Sequence, residues 1–175
     1  MLESFISFAP ITDLPPLEVG HHAGLVLLSL VVAVFMSLMA LQTANIARYS
    51  PNRFLHHLAL GSCAVALSTG IWAAHFIGML AFEMPAPMSY RADLTVLSLL
   101  PAFLASSLAM FILARPKFTN RQVIVSGILI GCGIGAMHYM GMAAMESPLS
   151  LSYDPVLSVF SVVLAALFAI AALRV

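Results

Sequence analysis

Charge is what this sequence has least of. Lys, Arg, Asp and Glu make up only 8% of its 175 residues, where a soluble domain carries about a quarter. So few charges leave a water-facing surface uncovered, which excludes a soluble domain. Net charge is zero and no basic patch occurs, so nucleic acid is not an expected partner. Cysteine is scarce as well. Cys63 and Cys132 lie 69 positions apart (132 minus 63) within apolar runs, without CxxC spacing. Neither a disulfide framework nor a zinc site is indicated. The first twenty residues lack a basic segment and a cleavage signature, so they are not read as a removed signal peptide. No nucleophile–base pair and no phosphate loop is visible, so no enzymatic role is expected. The alternating ten-residue segments of a membrane β-barrel are missing too.

Long apolar runs take their place: 62% of the residues are hydrophobic. A run of about 20 such residues spans a hydrocarbon core of about 30 Å. Within lipid the backbone satisfies its own hydrogen bonds by forming helices. Five spans are predicted, from about His22 to Gln42, Leu58 to Phe82, Ala92 to Leu113, Val123 to Met145, and Pro155 to the end. The expected fold class is all-α, a polytopic transmembrane helix bundle built of repeated helix pairs. Residues 1–20 are expected as an extracytoplasmic segment and residues 21–175 as the transmembrane domain. Pro51, Pro85, Pro87, Pro116 and Pro148 fall between spans, where a missing donor costs little. Pro101 falls inside the third and is expected to kink it. Arg48, Arg53, Arg115, Lys117, Arg121 and Arg174 all fall on one side, and only Arg91 on the other. The positive-inside rule then puts the N-terminus outside and the C-terminus in the cytoplasm of a bacterial inner membrane.

The chain repeats itself at an interval of 63 residues (138 minus 75). Gly70, Ile71, Ala73, His75, Gly78, Met79, Ala81 and Glu83 align with Gly133, Ile134, Ala136, His138, Gly141, Met142, Ala144 and Glu146. Ser89, Tyr90, Leu94 and Ser98 align with Ser152, Tyr153, Leu157 and Ser161. The unit reads as a helix pair with an outer connection. The segment from His21 and His22 to Ser29 matches Tyr90 and Arg91 to Ser98, an earlier partial copy. Span five then opens a third unit whose second helix is missing, and the chain is expected to be a fragment or a shortened version of a longer array.

The repeat sets His75 and His138 at one depth, near the outer ends of spans two and four. Met79 and Met142 each follow four residues later, on the same helix face. Met145 shares that face, and Met137 and Met140 flank it. An ionisable group inside a membrane is costly and points to function, although a neutral histidine also serves as a hydrogen-bonding link between helices. Two histidines in matching contexts favour a site. Thioether sulfur suits Cu(I), and imidazole suits copper in either state. Haem is the competing cofactor, since imidazole and thioether are also its axial ligands. His21 and His22 start span one on the outer side and are candidate further ligands or a solvated helix start. His56 and His57 lie about 27 Å of helix away from His75 and read as interfacial. Cys63 and Cys132 read as packing residues, and Trp72, Tyr90 and Tyr153 as an outer aromatic belt. Gly131 and Gly135 have the spacing of closely approaching membrane helices.

The segment Gly135-Ala136-Met137-His138-Tyr139-Met140-Gly141-Met142-Ala143-Ala144-Met145 resembles the signature of the MHYT domain, a bacterial integral-membrane sensor. Gly70 to Phe82 resembles the preceding copy of that signature. The resemblance runs from about His21 onward. It implies three repeated helix pairs, copper bound through Met and His, and sensing of a diatomic gas such as O2, CO or NO. It also implies cytoplasmic output domains that make or degrade cyclic di-GMP, or that bind DNA. By position, His75 with Met79, and Met137 and His138 with Met142, are the implied ligands. Three departures stand out: Ala74 replaces the Met before the first histidine, Met140 replaces a Thr, and the third unit stops after one helix without an output domain. A sensory input module is therefore expected, with the bilayer, a gas ligand, and a cytoplasmic signalling partner or self-association as its partners. A haem- or copper-bearing subunit of a membrane redox complex, or a copper carrier, are the alternatives.

Overall fold

The computed structural model describes residues 20–83, 88–113, 119–146 and 154–174. The N-terminal segment before Gly20, the proline residues 85, 87, 116 and 148, the basic residues Arg115 and Lys117, and Ser152 and Tyr153 lie outside the described residues. The elements, in chain order, are β1 (Gly20–His21), α1 (Ala23–Tyr49), α2 (Arg53–Leu80), β2 (Phe82–Glu83), β3 (Ser89–Tyr90), α3 (Ala92–Leu97), α4 (Leu99–Leu113), α5 (Asn120–Ala143), β4 (Met145–Glu146) and α6 (Pro155–Ala172). With α3 and α4 counted as one, five helices among the described residues are long and apolar enough to cross a membrane. The chain is a polytopic helical bundle, as its apolar runs predict.

The helices outrun those apolar runs at the arginine-bearing end. α1 continues to Tyr49 and α2 begins at Arg53, because Asn52 caps α2 by accepting from the Phe54 amide at 2.8 Å. At about 1.5 Å per residue, the 27 residues of α1 reach about 40 Å, beyond a hydrocarbon core of about 30 Å. Thr119 and Gln122 form a capping box at α5, and Asp154 caps α6, where Pro155 needs no donor.

The third span breaks at Ser98, between α3 and α4. Pro101 has no amide to bond the Leu97 carbonyl, and its ring crowds that carbonyl. Trp72 of α2 is tied to the break, its indole donating to the Thr95 carbonyl at 3.0 Å and to the Ser98 hydroxyl at 3.1 Å. Trp72 therefore links α2 to the third span. Tyr90 is half-buried in β3, its hydroxyl has no hydrogen-bond partner among the described residues, and burial pushes its phenol up.

Small residues make the interior: Ala40, Ala47, Ala64, Ala102, Ala109, Ser68, Ser106 and Ser126 are buried, while Leu27, Leu30, Val34, Phe160 and Phe168 face outward. Lipid is as apolar as the core, so close approach rather than hydrophobicity holds the helices together. Gly127, Gly131 and Gly135 face Ile170, Ala166 and Val162, and a Cβ on Gly131 would lie 2.6 Å from the Ala166 Cα. The small-residue spacing in α5 is thus the seam to α6.

At one end of the bundle, two short antiparallel pairs brace the helices. β1 pairs with β2, setting Gly20 opposite Glu83, and β3 pairs with β4, setting Ser89 opposite Glu146. One more backbone bond extends each, His22 N to Ala81 O at 2.8 Å and Arg91 N to Ala144 O at 2.9 Å. These positions correspond under the repeat. Each brace ties the start of one span to the end of the next; α1 with α2 is the most extensively packed pair, and α5 packs on α4 and α6 alike. The three-residue connection between Tyr49 and Arg53 forces α1 and α2 to lie antiparallel along their length.

Candidate functional site

α2 and α5 run parallel, and the repeat brings equivalent turns to the brace end. There the His75 and His138 rings meet, with centroids 4.9 Å apart and planes at 69°. Their Nδ1 atoms are 3.4 Å apart, longer than the 2.7–3.2 Å or so of a well-formed hydrogen bond. The other nitrogen of His75, Nε2, is buried and among the described residues has no hydrogen-bond partner. It lies over Gly141, where a Cβ would approach it to 2.6 Å, so only glycine at 141 leaves room for this ring.

Beside the pair is a cavity of about 420 Å3 lined by Ala74, His75, Gly78, Met79, Phe82, Met88, His138, Met142 and Met145. Two imidazoles and four thioethers thus border one apolar space. Among the described residues, no three His, Cys, Asp or Glu side chains gather as a metal cluster, so methionine sulfur is the donor type available to join the two rings.

Three other candidates are not among the residues lining the cavity. Met137 is 1% exposed, in the packed interior, and is absent from the cavity lining. It precedes His138 by one residue, about 100° around the helix. His21 packs its ring on Phe82 at 4.6 Å, and His22 caps α1 by accepting from the Leu25 amide at 3.4 Å. Neither lines the cavity. His56 binds the Ala47 carbonyl at 2.8 Å, tying α2 to the end of α1 far from the site. Cys63 is buried and donates to the Ala40 carbonyl at 3.1 Å, whereas Cys132 is exposed.

Phe82 and Met88 line the cavity without having been expected there. Phe82 is the repeat equivalent of Met145, a signal present in the sequence. Met88 belongs to the connection before β3, where no periodicity points to a face.

Charge is divided between the two ends. Arg48, Arg53, Arg121 and Arg174 lie at the end away from the braces, and Glu83, Arg91, Asp93, Glu146 and Asp154 at the brace end. Arg91 is paired with Asp93 at 2.7 Å.

Comparison with known proteins agrees with this architecture. Residues 69–126 and 131–175, more than half the chain, match the MHYT family, described as a bacterial signalling protein N terminal repeat. The chain is 38% identical over 154 residues to the bifunctional diguanylate cyclase/cyclic di-GMP phosphodiesterase MucR of Pseudomonas aeruginosa, covering 88% of this chain and 22% of that protein. It is 47% identical over 102 residues to the cyclic di-GMP phosphodiesterase NbdA of the same organism, covering 58% of this chain and 13% of that protein. The signaling protein YkoW of Bacillus subtilis is 25% identical over 149 residues, 85% of this chain and 18% of its own length. The chain thus spans less than a quarter of the length of these relatives. No solved structure matches. On its repeated histidine-bearing helices and on this match, the chain belongs to the MHYT family of bacterial signalling proteins, as a membrane-embedded domain.

Proposed function

We propose that this domain is a sensory input module that holds copper(I) between His75 and His138, with Met79, Met142 and the neighbouring Met145 and Met88 as thioether donors. The observation that carries this reading is the 3.4 Å separation of the two Nδ1 atoms beside a methionine-lined cavity. A tetrahedral metal with bonds of about 2.0–2.1 Å holds two ligand nitrogens about 3.4 Å apart. Two imidazoles with thioethers form a soft donor set, which favours Cu(I) over zinc. Haem fits less well. The His75 ring is packed on Gly141, where a macrocycle would need space.

Copper bound here would supply an open coordination position for O2, CO or NO, or a redox couple. The protein's own part is to present two imidazoles at one level, line the space beside them with Phe82 and the methionines, and connect the site to helix packing. His75 and His138 belong to separate braced hairpins, so a change in their spacing shifts one hairpin against the other. That shift reaches the arginine-bearing end, which the positive-inside rule assigns to the cytoplasm, with the brace end outside an inner membrane. The named relatives MucR and NbdA are cyclic di-GMP enzymes, so a cyclic di-GMP output, in the same polypeptide or on a partner, is the signalling route we assign.

The test is metal analysis of purified protein loaded with Cu(I), together with X-ray absorption. Stoichiometric copper with mixed nitrogen and sulfur ligation is expected, and its loss in both His75→Ala and His138→Ala. Copper at background level, or full retention in both variants, would end this reading.

A further inference from the structure

The third span is held at three points, which alternate between the two histidine-bearing helices. At the brace end, Tyr90 pairs with Met145 and the Arg91 amide bonds the Ala144 carbonyl at 2.9 Å. The start of α3 is thereby fixed to the end of α5. At the break, where Ser98 is buried, α2 takes hold through Trp72. Its indole donates to the Thr95 carbonyl and to the Ser98 hydroxyl, and that hydroxyl donates in turn to the Thr95 carbonyl at 2.7 Å. Just past the break α5 meets the span again. A Cβ on Gly133 would run into the Ala105 side chain and lie 3.2 Å from the Pro101 carbonyl oxygen. α5 therefore supports the span on both sides of the break, and α2 grips it at the break itself.

A rod with two supports on one body and a grip on another bends when the bodies move apart or together. An unbroken helix resists such bending, and sharp kinks fall where the hydrogen-bond ladder is interrupted, above all at proline. Here Pro101 has no amide to offer the Leu97 carbonyl, so the compliant point of the span lies where α2 holds it. The grip is also close to the candidate site. Trp72 stands about one turn before His75, its ring lies 4.9 Å from that of Phe76, and Phe76 lies 5.1 Å from His75. On the other helix, Gly133 precedes His138 by five residues. The two helices that set the spacing of the imidazoles thus also set the load on the break.

We propose that the third span converts the spacing of His75 and His138 into a bend between Ser98 and Pro101, with Trp72 as the positioning residue that ties the break to α2. When α2 moves against α5, the ends of the bent region stay with α5 and its middle follows Trp72. α4 runs from the break toward the arginine-bearing end, so the bend emerges there as a tilt of α4. This coupling takes His75 and His138 as one site, as proposed above, and holds for any ligand that changes their spacing.

The test is made on the full chain in lipid nanodiscs, free of metal, so that it does not depend on copper. Nitroxide amino acids at Leu80 of α2 and Ala136 of α5, both exposed, report the separation of the two helices. Gly133→Ala drives a wedge between α5 and α4 beside the break. It is expected to change that separation by about 1–2 Å, the usual size of a shift between packed helices. The change should vanish when Gly133→Ala is made in a Trp72→Phe background, relative to Trp72→Phe alone, because the tie to α2 is then cut. No change in Gly133→Ala, or the same change with phenylalanine at 72, would overturn the proposal. If Gly133→Ala does not fold, Trp72→Phe alone decides: the Leu80–Ala136 distance distribution is expected to broaden, and an unaltered width would overturn the proposal. Failure of the purified chain to bind Cu(I) would sink the copper reading and leave these distances unaffected.

Discussion

The two histidine-bearing helices carry nearly the same residues and are used differently. In α2, Ala74 lines the cavity. Its equivalent in α5, Met137, is buried at 1% exposure. Gly141 carries the ring of His75, while its equivalent Gly78 has no atom of the described residues within 4 Å of where its Cβ would be. Trp72 reaches across to the break between α3 and α4, while its equivalent Gly135 lets α6 come close against Val162. The lesson is that these helices are related by a step around the bundle rather than by facing each other. Two mirror-facing copies would give equivalent residues equivalent neighbours. A head-to-tail step gives them different ones, and the residues have diverged where their neighbours differ.

The seams give the largest contrast. Gly131 of α5 and its equivalent Ser68 of α2 are both buried, but only Gly131 has the backbone of α6 where its Cβ would be. Gly131→Leu should destabilise by about 3 kcal/mol, the upper end for overpacking a close contact, and separate α6 from α5. Unfolding in mixed detergent–lipid micelles measures this, and an effect below that of Ser68→Ala would break the proposed asymmetry of the two seams.

Next is the pair Met137 and Ala74. Met137→Ala should cost about 2 kcal/mol, the low end for a buried Met→Ala, since lipid is also apolar and only packing is lost. Copper retention should be unchanged by it. If copper is lost while Tm holds, Met137 is a ligand and the site is more symmetric than the lining residues indicate. Trp72→Phe keeps the ring and removes two hydrogen bonds from one donor, an expected loss of about 1 kcal/mol. No change in Tm would mean that the indole acts only by filling space. The smallest stability effect is expected from Ala74→Met, which adds a thioether to a cavity that has room for it. Cu(I) retention in a chelator competition should rise, and an unchanged chelator midpoint would place position 74 outside the ligand sphere.

Much of this was legible in the residues. The five spans, the break near Pro101 and the common depth of His75 and His138 follow from run length, a missing amide and a repeat interval. Met79 and Met142 on the cavity follow from four-residue spacing. Met137, His21 and His22 were attractive for their chemistry, and rotation and local hydrogen bonding took them elsewhere: Met137 to the interior, His21 to Phe82 and His22 to the first turn of α1.

By itself the sequence determined where along each helix a residue stands, since helical rise converts position into depth. Only the tertiary structure decided which way each helix is turned. In a soluble bundle a polar face and an apolar face would reveal that rotation. Here lipid and interior are both apolar, so the two sides of a helix read alike, and the choice falls to close contacts such as Gly141 beneath His75.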